Sequence, residues 1–84
     1  MEGGARVETL YLLVETEVGR LEEVARRVRA IPNVVEVQGV TGPFDLIVKI
    51  EAPHINEALD VVLTKVRRVP GIKGTETLVT VSGA

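Results

Sequence analysis

Val34-Val35-Glu36-Val37-Gln38-Gly39-Val40, then Thr41-Gly42-Pro43-Phe44-Asp45, then Leu46-Ile47-Val48-Lys49-Ile50: this central stretch decides the fold. Two β-branched runs flank a turn signal, in which Gly tolerates positive φ while Pro fixes its own φ and removes an N–H donor. The pattern predicts two strands joined as a hairpin. Phe44 is one of the two large aromatic side chains, and an acid follows it at once. That pair reads either as a packed corner with a solvated Asp or as part of a small-molecule site.

Upstream, Val7-Glu8-Thr9-Leu10-Tyr11-Leu12-Leu13-Val14 predicts a first strand. Leu10, Leu12 and Val14 line one face and Tyr11 and Leu13 the other, as in a strand central to its sheet and covered on both sides. A helix is predicted to open at Thr16-Glu17-Val18-Gly19 and run to about Ala30, with Leu21, Val24, Ala25 and Val28 as its apolar stripe. Its early acids suit the positive end of the helix dipole, and Arg26, Arg27 and Arg29 suit the negative end. This basic cluster therefore reads as a solvated helix end. Ile31-Pro32-Asn33 stops the helix, because Pro disfavours helical geometry at the residue before it.

Downstream, Ala52-Pro53 breaks the third strand and starts a second helix, from about His54 to Arg68, with Pro in its first turn. Ile55, Ala58, Leu59, Val62 and Val66 form its stripe, and Val69-Pro70-Gly71 stops it. Thr75 to Val81 is the last strand, with Thr75, Thr77, Val79 and Val81 on one face. Residues 1–6 and Ser82-Gly83-Ala84 read as loose ends.

The two helix stops, Ile31-Pro32-Asn33-Val34 and Val69-Pro70-Gly71-Ile72, stand 38 residues apart, and each follows a strand and a helix of similar length. The chain is thus a βαβ unit used twice, the split arrangement β-α-β-β-α-β. Right-handed crossovers put both helices on one side of the sheet and leave room between paired strands for a strand of the other half. The expected fold is α+β, ferredoxin-like, with an antiparallel sheet in the order 4-1-3-2. The first and third strands are then central, and they are the two that are apolar on both faces. Two helices cover only one face, so Tyr11, Leu13 and Ile47 would meet water in a monomer. Burying each large apolar side chain is worth ~1.5–3 kcal/mol, which predicts a sheet-to-sheet homodimer through these three residues.

Eighty-four residues suit one domain, expected to span 1–84 with its folded part at 7–82 and no DNA-binding helix-turn-helix. A net charge of −2 with interspersed signs lacks the electrostatic footprint of a nucleic-acid binder. The absence of cysteine excludes disulfides and thiolate chemistry. No apolar run approaches membrane-spanning length, and Met1-Glu2-Gly3-Gly4 has no basic region before an apolar one. A cytoplasmic location is expected. The single His54 reads as a capping or solvated residue, and no His, Asp or Glu group has ligand spacing. No catalytic residue, metal or cofactor is expected.

The order of a strand, an amphipathic helix, Ile-Pro-Asn-Val, the run Thr41 to Ile50, a second helix, Val-Pro-Gly-Ile and a Thr-rich strand resembles the ligand-binding (RAM) domain of the Lrp/AsnC transcription regulators. The most specific part is Gly42-x-x-Asp45 followed by the apolar strand, and the resemblance covers residues 7 to 82. It implies dimers joined through their sheets and assembled into rings of four or five dimers. Amino acids or related metabolites would bind between neighbouring dimers. The resemblance assigns the ligand loop to Thr41, Gly42, Phe44 and Asp45, with Thr75 and Thr77 adding polar groups. A carboxylate can hold an α-ammonium, and Gly and Thr groups can hydrogen-bond an α-carboxylate; Pro43 contributes no N–H. Full-length regulators of the family are implied as partners. Two other readings share this topology: an ACT-like amino-acid-binding domain attached to an enzyme, and a dimeric α+β barrel of the monooxygenase kind. The second would require a His, Trp or Tyr group in its cavity.

Overall fold

In the computed structural model, residues 6–81 are described. Of the loose ends expected at 1–6 and at Ser82-Gly83-Ala84, all but Arg6 lie outside the described residues. Strict alternation in β1 (Glu8–Thr16) buries Leu10, Leu12 and Val14 on one face and leaves Tyr11 and Leu13 half-buried on the other. The chain continues through α1 (Leu21–Arg29), β2 (Val34–Gly39), β3 (Leu46–Ala52), α2 (Ile55–Thr64), a 3₁₀ turn (Val66–Arg68) and β4 (Ile72–Val79). The strands lie in the order β2-β3-β1-β4, with every neighbouring pair antiparallel. This is the ferredoxin-like α+β fold expected from the repeat, with β1 and β3 in the centre.

Both helices lie on the Leu10–Leu12–Val14 side. One core unites those residues with Leu46, Val48 and Ile50 of β3, Val24, Ala25 and Val28 of α1, and Ala58, Val61 and Val62 of α2. The helix stripes differ from expectation at two positions. Leu21 is 41% exposed at the margin of α1, while Val61, absent from the predicted stripe, is buried beside Val62. The opposite sheet face carries Tyr11, Leu13 and Ile47 without any covering element among the described residues. Leu78 of β4, directly across from Tyr11, extends this apolar strip and is 43% exposed.

Several boundaries fall elsewhere than the sequence suggested, each for a tertiary reason. Thr16 ends β1 and does not open α1. Its backbone N–H and its hydroxyl both donate to Asp45 Oδ2, at 2.8 and 3.2 Å. Gly19 then turns the chain at φ +81, outside helical geometry, so α1 begins only at Leu21 with Arg20 as N-cap. β4 begins earlier than predicted because the lengthened β1 offers a partner: Thr16 pairs with Ile72 and Glu15 with Gly74, across a bulge. It ends at Val79, and Val81 lies outside it. β3 continues to Ala52, and His54 is the N-cap of α2, so Pro53 precedes the helix and does not occupy its first turn. The second helical segment, expected to run unbroken to Arg68, gives way after Thr64 to the 3₁₀ turn, which sinks Val66 into the core. Such tightening is usual at helix ends.

The two repeat stops are matched in backbone as well as in sequence. Asn33 (φ +77) and Gly71 (φ +97) occupy equivalent left-handed positions. Asn33 O accepts from Glu51 N (3.0 Å), and Gly71 O accepts from Glu17 N (2.8 Å), so each stop is bound to the end of a central strand. Glu23 of α1 accepts from Arg20 Nε at 3.2 Å and from Arg27 Nε at 3.3 Å. The Arg20 charge first, and then the hydrogen bonds, hold the Glu23 carboxyl below its ordinary 4.5. A depressed folded value stabilises the fold above the unfolded value, and that contribution fades as pH falls through the folded one. A carboxyl-resolved NMR titration should therefore place the Glu23 midpoint below the ordinary glutamate value, and Arg20→Gln should move it upward.

Candidate functional site

The turn between β2 and β3 is closed by Val40 N–H donating to Asp45 O at 2.9 Å. Thr41, Gly42 and Pro43 are exposed at its tip, and Gly42 takes φ +128, a conformation that side chains other than glycine's rarely adopt. Phe44 and Asp45 are half-buried at its base. Asp45 is the junction: its N–H donates to Val14 O at 2.8 Å, and its carboxylate takes the two donors of Thr16. The turn, the start of β3 and the end of β1 are thereby held as one unit. Asp45→Ala would strand the part-buried Thr16 N–H, at a cost of about 1–3 kcal/mol. Asp45→Asn keeps an oxygen acceptor and should cost less than half of that; urea denaturation of both variants checks the order.

Thr75 and Thr77 of β4 pair with Val14 and Leu12 and so share the helix-side face of the sheet. There they line a cleft of about 480 Å³ with Val62, Leu63, Arg67, Ile72, Lys73 and Gly74. That volume suits a small metabolite. Arg67 and Lys73 bring two cations that the sequence reading did not single out, beside two hydroxyls that can donate or accept. No local pattern marks these two cations. They come together because the 3₁₀ turn and the early start of β4 bring Arg67 and Lys73 to the same edge.

The six predicted ligand residues thus form two groups. Asp45 holds the Val14–Thr16 segment of β1 from the β3 side, and Thr75 pairs with Val14 from the β4 side. Two strand spacings amount to roughly 10 Å, and the cleft at Thr75 and Thr77 includes none of the four turn residues. One chain offers a polar, cationic half-site on β4 and, separately, an acidic turn. The face opposite the helices keeps Tyr11, Leu13 and Ile47 in adjacent rows, where Leu13 pairs with Ile47 and Tyr11 with Lys49. His54, exposed at the start of α2, is remote from Tyr11 along the sheet: Tyr11 pairs with Lys49, whereas His54 lies beyond the Ala52 end of β3. Among the described residues no three His, Asp or Glu side chains gather as metal ligands would. Among the described residues, no helix is long and apolar enough to cross a membrane either.

The family described as the Lrp/AsnC ligand binding domain matches residues 9–83. The HTH-type transcriptional regulator FL11 of Pyrococcus horikoshii is 35% identical over 69 residues, which are 82% of this chain and 45% of that protein. The chain thus spans less than half the length of this regulator. A homocitrate synthase of Sulfurisphaera tokodaii is 41% identical over 54 residues, 64% of this chain and 12% of the enzyme. Among solved structures, TTHA0845 from Thermus thermophilus superposes with a TM-score of 0.85 at 28% identity, covering 92% of this chain and 96% of that one.

Proposed function

The chain belongs to the Lrp/AsnC ligand-binding domain family, and on that premise we propose that it is an amino-acid-sensing, oligomeric module of transcriptional regulation with no DNA binding of its own. The family match over residues 9–83 carries this reading. Domains of this family serve oligomeric regulators, and the uncovered strip of Tyr11, Leu13 and Ile47 supplies a self-complementary surface for a two-fold sheet-to-sheet dimer. Dimers then assemble into a ring of eight or ten chains. The half-sites explain why a ring serves sensing: the acidic turn of one copy, with Thr41, Gly42, Phe44 and Asp45, meets the Thr75 and Thr77 cleft of a neighbour. Asp45 takes the α-ammonium, and the Thr hydroxyls with Arg67 or Lys73 take the α-carboxylate. Both helices are used to cover the sheet, which leaves none among the described residues for a helix-turn-helix. The module works in the cytoplasm, without catalysis or cofactor, by joining its own copies or full-length Lrp/AsnC regulators.

A thermal-shift screen against the twenty amino acids tests the sensing claim, because a ligand at about 100 times its Kd stabilises the fold by ~2.7 kcal/mol. Asp45→Asn should abolish that shift while leaving the oligomer intact. A wild-type protein that none of the amino acids stabilises would refute the reading. Retardation of a DNA duplex in a salt-sensitive gel shift at submicromolar protein would refute the absence of DNA binding.

The homocitrate synthase relative supports a second reading, in which the same module sits beside an enzyme as an amino-acid-binding regulatory domain. The thermal-shift result would be the same, but the oligomer would capture an enzyme and not a helix-turn-helix regulator. The barrel-enzyme reading has no such support, since Tyr11 and His54 do not converge.

A further inference from the structure

The helix dipole accounts for Arg26, Arg27 and Arg29 only. In the folded chain a second set of cations arrives at the same place from a different element. Arg26 and Arg27 of α1 face Lys65, between α2 and the 3₁₀ turn, and Arg68 of that turn across one broad, shallow cleft of about 420 Å³. Its floor is apolar, made by Ile31, Val69 and Pro70. No acid lines it, and among the described residues only Arg27 of the four cations has an ion-pair partner, Glu23 outside the cleft. Like charges brought together cost stability unless an anion sits between them. The chain as a whole is acidic, with twelve acids against ten bases, so the cluster is no consequence of composition.

The internal repeat explains how the cleft is built. Arg27-Val28-Arg29-Ala30-Ile31-Pro32 and Lys65-Val66-Arg67-Arg68-Val69-Pro70 align at the same 38-residue offset as the two helix stops. Val28 and Val66, the aligned valines, are both fully buried and fix the two walls to the core. Ile31 and Val69 are aligned as well, and both line the cleft. The two halves of the chain thus present one cation-and-apolar motif twice, facing itself.

We propose that this cleft docks an acidic peptide segment of a partner protein, with carboxylates on Arg26, Lys65 and Arg68 and an apolar side chain on the Ile31–Val69–Pro70 floor. Arginine suits the carboxylates because its planar fork can donate two parallel hydrogen bonds. The open, shallow shape suits an extended segment better than an enclosed metabolite. The apolar floor distinguishes it from a surface for nucleic-acid phosphates, which need cations and gain nothing from isoleucine and valine. The site lies on the helix side, away from the Tyr11–Leu13–Ile47 face, so docking is compatible with a sheet-to-sheet dimer.

Fluorescence anisotropy with a short fluorescein-labelled peptide of glutamates carrying a central leucine pair tests the proposal on the intact chain. Saturable binding is expected at low salt, weakening steeply as salt shortens the screening length from about 10 Å at ~0.1 M. The double variant Lys65→Glu/Arg68→Glu should weaken it about tenfold or more, corresponding to ~1.4 kcal/mol, whereas Arg6→Glu, at an exposed position outside the cleft, should change it little. An all-glutamate peptide without leucines should bind more weakly than the parent. The proposal is overturned if the peptide does not bind or if both charge variants act alike. It is equally overturned if the leucines make no difference, or if a labelled DNA duplex binds more tightly and loses that binding in the double variant.

Discussion

Leu13→Asp is expected to convert the assembled protein into folded monomers, seen by sedimentation velocity as a fall to the mass of one 9.1 kDa chain. Leu13 lies on the uncovered sheet face and belongs to no part of the helix-side core, so the substitution leaves the fold of one chain intact. At a two-fold interface every residue is lost twice. Removing two leucines forfeits about 3–6 kcal/mol of apolar burial, and two carboxylates enter a layer whose neighbouring cation, Lys49, is already paired with Glu51 at 3.6 Å, which costs several kcal/mol more. The sum, at least about 6 kcal/mol, raises the dissociation constant by four or more powers of ten. Far-ultraviolet circular dichroism should be unchanged. Leu21→Asp, at the helix-side margin of α1 and 41% exposed, is the matched control and should leave the assembly as it was. Dissociation by the control alone would place the interface on the helix side and contradict the sheet-to-sheet arrangement.

Gly71→Ala is the substitution with the largest expected effect on the single chain. Gly71 sits at φ +97, where an L-residue loses about 1–2 kcal/mol per position. A methyl group there would also lie 2.9 Å from Val24 Cγ2 and 3.1 Å from Arg20 Cβ. Val24 is fully buried, so it cannot swing aside without disturbing the α1 core. Overpacking of this kind adds about 1–3 kcal/mol, for a total loss of roughly 2–5 kcal/mol, a large share of a small domain's ~5–15 kcal/mol. Chemical denaturation should report a lower midpoint with an unchanged slope. Gly19→Ala makes the comparison informative: its φ is +81, but an added Cβ there meets nothing within 4 Å. It should lose the backbone contribution alone, so a cost equal to that of Gly71→Ala would rule out the steric contribution.

The architecture was legible because it rests on signals that are local or periodic. Apolar residues on both faces of residues 10–14 and 46–50 marked the central strands, and the two Pro-containing stops revealed the duplication. The misses come from contacts between residues distant in sequence. Thr16 is extended because Asp45 binds it from 29 positions away, and nothing near Thr16 announces that partner. β4 starts at Ile72 because β1 is longer than its own alternation implied. Leu78 joins the open face through the β1–β4 register, whereas the alternation of Thr75, Thr77 and Val79 drew the reading to the other side. The candidate site was legible residue by residue but not as an arrangement. The sequence offered Asp45 and the two threonines, and only the sheet order reveals that β1 lies between them. Arg67 and Lys73 pointed to no ligand, since cations on either side of a helix stop look like any solvated side chains.

Asp45 now has two roles that a single experiment must separate. Within the chain its carboxylate anchors Thr16, and in the proposed ring it also faces a ligand ammonium. Native mass spectrometry of the intact chain, alone and with each of the twenty amino acids, tests the central claim most directly because it reports assembly and ligand together. The expected result is an even-numbered assembly of eight or ten chains that takes up at least one amino acid, with Asp45→Asn keeping the assembly and losing the adduct. A monomer, or an assembly that binds none of the twenty, would contradict the claim.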